Sequence, residues 1–442
     1  MDNETWIVLL GAVVVYALVA GWLGARSITM PLVFVAFGAV AGPYVLGLLD
    51  LPLHAEEIER LIEVTLALLL FADASTLEWR EIRRDAGIPA RLLIVGLPLT
   101  VGIGALVAGP LFPAAGLGMA LLLGAILAPT DAALGLPIFS NERVPTRVRR
   151  ALNVESGFND GFSTPFVTLA LAFAVSQGGA GNPAGWIGPA LVQIGIAIAV
   201  GALLGGVAGR AFRAAKERDL TTPVALQLAG LALALLAFMG SIAAGGNGYI
   251  AAFVAGLAFN AVSDGKLEIA GEFPEVTGTL LSLLVWVIFG AMVAPMAFTH
   301  FVPAAVLYAV LSLTVVRMLP VAIALFGTRL RPDTVMMMGW LGPRGLASVV
   351  FTLLALGTLT EAGVDPLPLV AAVWTVMLSV VLHAVTATPL AEWYAARLER
   401  ADPAIPEFAE RGRGLGVRAH QIRSAIGHAL PARHRERQRA EG

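Results

Sequence analysis

The sequence predicts an all-α polytopic membrane protein of about thirteen transmembrane helices, folded as two inverted six-helix repeats with discontinuous crossing helices. Three observations carry this reading. Of 442 residues, 57% are hydrophobic and 14% charged, with a mean hydropathy of +0.81, where an average soluble domain carries roughly 25% charge. The charges collect between long apolar runs instead of spreading along the chain. Two of those runs, at matching places in the two halves, are interrupted by proline and glycine beside an ionisable residue. The pattern excludes a soluble enzyme or a nucleic-acid binder. The net charge of −2 argues against a polyanionic partner, and the lack of cysteine excludes disulfides and thiol chemistry.

Crossing a bilayer takes about 20 apolar residues. Such runs fall near 6–23, 30–49, 58–75, 90–110, 117–138 and 151–177 in the first half, and near 185–209 at a central linker. The second half has runs near 222–240, 244–262, 277–297, 302–327, 333–358 and 366–390. The opening Met1-Asp2-Asn3-Glu4 lacks a basic n-region and Arg26-Ser27 is no cleavage site, so the first run is expected to be a retained span.

Short cytoplasmic loops carry the excess of Arg and Lys. Arg80, Arg83 and Arg84, then Arg143, Arg147, Arg149 and Arg150, then Arg210, Arg213, Lys216 and Arg218 all fall on one side. Asp50, Glu56, Glu57, Glu59, Glu361 and Asp365 fall on the other, with Arg60 against the trend. This places the N-terminus outside and the C-terminus in the cytoplasm. The loop at 261–276 fits least well, with Asp264, Glu268, Glu272 and Glu275 against Lys266. Only Lys216 and Lys266 of 29 basic residues are lysine, a usage that points to a GC-rich bacterial genome and hence to a bacterial inner membrane.

If the central run links two units of six, the halves are inverted. The fifth run of the first half contains Ala128-Pro129-Thr130-Asp131, and its counterpart contains Gly342-Pro343-Arg344-Gly345. Matched broken helices mark transporter binding sites, because unwound backbone frees carbonyl and N–H groups near the midplane. The sixth run adds a polar face. Ser156, Asn159, Asp160, Ser163 and Thr164 share one side of a helix, with Glu155 on its flank. A charge at the bilayer centre costs about 2.5–3.5 kcal/mol, so this face meets protein or water. Oxygen ligands suit small alkali cations, and a desolvated carboxylate can hold a proton, so Asp160 could bind either. Glu155 and Arg344 are expected to form a buried ion pair.

These residues resemble the monovalent cation:proton antiporters of the CPA1 group, the NhaP-type and NHE exchangers. The resemblance covers about 6–390. It rests on Thr130-Asp131 in a broken helix, Glu155-Ser-Gly-Phe-Asn-Asp160 in the next, and Gly342-Pro-Arg-Gly345 in the penultimate one. It implies thirteen helices in an NhaA/NhaP-like fold, a homodimer, a six-helix core that moves as an elevator, and cation contacts from the Asp160 carboxylate, Ser156 and the Thr130 carbonyl. It also implies a Glu155–Arg344 pair and an Asp131 that balances the positive ends of half-helices. Asn159, rather than a second aspartate, resembles the branch that exchanges one cation for one proton. Pro129 stands before Thr130-Asp131 where many relatives have a proline after it and Ala132 here. The stretch Phe71-Ala-Asp-Ala-Ser-Thr-Leu77 also departs from the glycine-rich motif of many members.

Arg317 is either a second core charge or a side chain reaching back to the cytoplasmic end. His383 reads as a packed or interfacial histidine, and Asp73 and Glu78 as capping or surface groups. Residues 391–442 read as a short basic cytoplasmic tail whose Arg433, Arg435, Arg437 and Arg439 meet anionic headgroups. No cofactor and no enzymatic activity are expected. The rival classes are an intramembrane aspartyl protease, whose aspartates stand in other sequence contexts, and a passive cation channel, which would need a continuous pore lining.

Overall fold

The computed structural model describes residues 3–24, 26, 28–49, 56–76, 87–131, 133–139, 141–178, 185–263, 267, 269–401 and 405–408. Outside these lie Asp50, Leu77, Glu78, Arg80, Arg83, Arg84, Ala132, residues 179–184, Asp264, Lys266 and Glu268, and the basic residues after 408.

Helices and short turns make up the described residues. They are α1 Asn3–Gly24, α2 Met30–Ala41, α3 Glu56–Ser75, α4 Gly87–Leu111, α5 Gly116–Ile126, the short α6 Leu136–Phe139, α7 Thr146–Gly178 and α8 Ile187–Glu217. The second half continues with α9 Pro223–Ala243, α10 Gly248–Ser263, α11 Ile269–Thr299, α12 Pro303–Leu313, α13 Val315–Ala324, α14 Pro332–Trp340, α15 Leu346–Glu361 and α16 Leu367–Leu398. Helix occurs in every run marked by the hydropathy. Among the described residues, seven segments are long and apolar enough to cross a membrane: α1, α4, α8, α9, α11, α12 with α13, and α16. The others are either short, like α2, α5, α10 and α15, or long but too polar to qualify, like α3 and the 33-residue α7, which carries Glu155, Asn159 and Asp160.

Exposure follows the bilayer, not water. α1 displays Ile7, Leu10, Val14, Val15 and Leu18, while α11 is mostly buried around Trp286 and Phe289. Prolines shape the long helices. Pro98 and Pro295 have no N–H to donate, and each follows a π turn, Leu92–Gly96 in α4 and Phe289–Val293 in α11, that absorbs the missing bond. α12 and α13 part at Thr314, six residues before Pro320.

The last helix continues past residue 390, because Ala391, Tyr394, Ala395 and Leu398 bury one face in a cluster with Met337 and Met338 of α14. The chain beyond it is held against the same end. Glu407 is buried and accepts from the Arg331 backbone N–H and the Thr334 hydroxyl, both at 2.8 Å, and Arg147 donates to the Pro406 carbonyl at 2.7 Å.

Candidate functional site

Two broken helices meet in the interior. α5 ends at Ile126 and the chain runs unwound through Asp131. α14 ends at Trp340 and the chain runs unwound through Gly345 before α15 begins. Each break frees backbone groups that need partners, and each supplies them to the other. The Asp131 N–H donates to the Pro343 carbonyl at 2.8 Å. The Asp131 carboxylate accepts from the Leu346 N–H at 3.1 Å, at the start of α15, and from the Ala133 N–H at 2.7 Å. From α15 and the second break, Ser348 donates to the Ile126 carbonyl at 2.8 Å, and Arg344 Nη1 to the carbonyls of Ala128 and Pro129 at 3.2 and 3.3 Å.

The buried ion pair differs from the one expected of the sequence. Glu155 pairs with Arg317, not Arg344: Nη1 donates to Oε1 at 2.6 Å and Nη2 to Oε2 at 3.0 Å, with both side chains buried. Arg317 is therefore a core charge, placed by α13. The physical reason is local competition. Arg344 sits inside the break, and its Nη1 goes to the unwound carbonyls of Ala128 and Pro129. Arg317 then faces Glu155. Gly342 makes the room, since a Cβ there would overlap the Arg317 guanidinium.

α7 brings its polar face to this crossing. Asn159 Nδ2 donates to the Thr130 hydroxyl at 2.6 Å, and the hydroxyls of Thr130 and Ser156 lie 3.2 Å apart. The three residues are buried, whereas Asp160, next along the helix, is partly exposed. Asn159 Oδ1 is buried and accepts no hydrogen bond among the described residues, which leaves an oxygen lone pair beside two hydroxyls. Ser163 and Thr164, on the same face, turn instead to the Asp160 backbone carbonyl at 2.9 and 3.0 Å. Sequence reasoning missed Ser348 and Ser379, since a serine on an apolar helix has no local signal for its acceptor or donor. The Arg344 backbone N–H donates to Ser379 Oγ at 2.6 Å.

Interlocked broken helices beside a buried carboxylate–arginine pair and a cluster of hydroxyls define a secondary transporter of the broken-helix class. The chain belongs to the family described as sodium/hydrogen exchanger, transmembrane, which matches residues 9–393. Among curated proteins it is 30% identical over 361 residues to "Probable Na(+)/H(+) antiporter 2" of Methanocaldococcus jannaschii, covering 74% of this chain and 82% of that one. It is 24% identical over 352 residues to the "K(+)/H(+) antiporter NhaP" of Alkalimonas amylolytica, covering 78% and 60%. Among solved structures it is similar to the sodium proton antiporter MjNhaP1 from Methanocaldococcus jannaschii at pH 8, with a TM-score of 0.70, 25% identity and coverage of 88% and 97%.

Proposed function

We propose that the protein exchanges a monovalent cation for H⁺ by alternating access, one for one, with Na⁺ the first candidate and K⁺ or Li⁺ the alternatives. Family membership supports sodium/proton exchange over the protease and the channel. The observation that carries the site is the cluster of Thr130, Ser156 and Asn159 at the crossing of the two breaks, with Asp160 adjoining it on α7. In this reading Asp160 takes a cation or a proton, and Ser156 and the Thr130 backbone carbonyl supply neutral oxygens, which suit a hard monovalent ion. Asn159 positions the Thr130 hydroxyl and offers Oδ1. Asp131 balances the N-terminal dipole of α15, and the Glu155–Arg317 pair holds α7 against α13.

The wider reading is a homodimer in a bacterial inner membrane, with thirteen crossings, the N-terminus outside and the C-terminus in the cytoplasm. The test is a proteoliposome assay that follows internal pH while external Na⁺, K⁺ or Li⁺ is varied. Proton movement that depends on the cation and saturates supports exchange. Cation flux with no opposing proton would make the protein a channel.

A further inference from the structure

The last helix carries a polar stripe that exchange as described above does not use. Ser379, His383 and Thr386 stand at i, i+4 and i+7 of α16 and so share one face, and that face lies against the break after α14. Ser379 Oγ accepts the backbone N–H of Arg344 at 2.6 Å. His383 is buried, with its ring stacked on Trp340 at 5.4 Å between centroids and Nε2 2.8 Å from the Trp340 carbonyl. The neutral tautomer with its proton on Nε2 donates to that carbonyl and leaves Nδ1 to accept from the Ser379 hydroxyl. Nδ1 lies 3.3 Å from Ser379 Oγ and 2.9 Å from the Ser379 carbonyl. The two residues span the break: one holds the last carbonyl of α14, the other the N–H of Arg344, four residues on.

Arg344 leads onward to the site. Its Nη1 holds the carbonyls of Ala128 and Pro129, the residues just before Thr130, whose hydroxyl meets Ser156 and Asn159. Every link from His383 to Thr130 is a hydrogen bond or a peptide bond. We propose that His383 and Ser379 are positioning residues for the exchange site: they fix the break around Arg344, and through Arg344 they set where Thr130 stands. Residues that orient the groups around a bound ion typically change affinity by about 10–100-fold when lost, so the effect belongs in apparent cation affinity and not in the rate at saturation. The inference rests on Thr130 lining the exchange site.

The test is the cation dependence of exchange in proteoliposomes for four variants. His383→Phe keeps the stacking partner but donates nothing, and is expected to raise the cation KM about tenfold with little change in kcat. His383→Gln restores a donor towards Trp340 and is expected to recover most of the affinity. Ser379→Ala cuts the other end and is expected to match His383→Phe, so it carries the test should the phenylalanine variant fail to fold. Thr386→Val is the control. Thr386 accepts the Trp340 indole N–H at 3.0 Å and holds no break backbone, so its loss is expected to lower thermal stability with KM unchanged. Wild-type KM in both His383→Phe and Ser379→Ala, or an equal rise in Thr386→Val, overturns the proposal while leaving wild-type exchange intact. Absence of exchange in the wild type overturns the functional reading instead.

Discussion

Arg317 on α13 and Glu155 on α7 form a two-pronged ion pair, 2.6 and 3.0 Å between their atoms, in the buried interior where Gly342 of the second break lies against the guanidinium. Arg344, two residues from Gly342, serves the carbonyls of the other break. The two buried arginines thus do different work: one neutralises a carboxylate, the other replaces lost helix hydrogen bonds.

That division predicts different suppressors. Arg317→Ala leaves Glu155 buried and unpaired, at a cost of about 3–5 kcal/mol, and Glu155→Gln in the same chain is expected to recover much of it by removing the stranded charge. Arg344→Ala strands two carbonyls, at about 1–3 kcal/mol each, and Glu155→Gln is expected not to help. Thermal unfolding in detergent reads both. Rescue of Arg344→Ala by Glu155→Gln would return Glu155 to Arg344.

The packing of the breaks gives a second expectation. A methyl at Gly345 would fall on the Asp131 carboxylate, which is fixed by two backbone N–H groups and cannot swing away freely. Gly345→Ala is expected to destabilise by about 1–3 kcal/mol or more and to abolish exchange. Gly357, on the same α15, has only the Glu59 carboxylate within reach of a Cβ, at 3.9 Å. Gly357→Ala is therefore expected to be neutral, or to stabilise by up to about 1 kcal/mol through helix propensity. Equal losses in both would point to the helix rather than the crossing.

Asp160→Asn keeps the side-chain volume but cannot trade a proton for a cation. It is expected to abolish exchange while the protein keeps its size-exclusion profile and unfolding temperature. Cation-dependent proton movement at the wild-type rate in this variant would place the carrier elsewhere.

Stoichiometry depends on position 159. If, as proposed, Asp160 is the one carrier carboxylate, it returns neutral as either its cation form or its proton form, and no net charge crosses. A diffusion potential is then expected to leave the exchange rate unchanged while a pH gradient drives it. An electrogenic cycle would gain about 2.3 kcal/mol per elementary charge per 100 mV. A reversal potential that follows voltage would show that a second group titrates, with Glu155 the first to examine.

Much of this was legible in the sequence, and for a physical reason. A span must satisfy its own backbone and face lipid, so about 20 apolar residues mark it without reference to any neighbour. A proline and an aspartate inside such a run mark a break just as locally. The all-helical membrane fold, the placement of both breaks and the polar face at Ser156, Asn159 and Asp160 follow from such local constraints. The partners did not. Two buried arginines, Arg317 and Arg344, were both available to Glu155, and the choice depends on where α13 brings Arg317 and on which guanidinium lies nearer the freed carbonyls of Ala128 and Pro129. Ser348, Ser379 and His383 read as ordinary helix residues until the opposite break lies against them, because hydrogen-bond partners 35 to 222 residues apart are set by packing and not by neighbours in the chain.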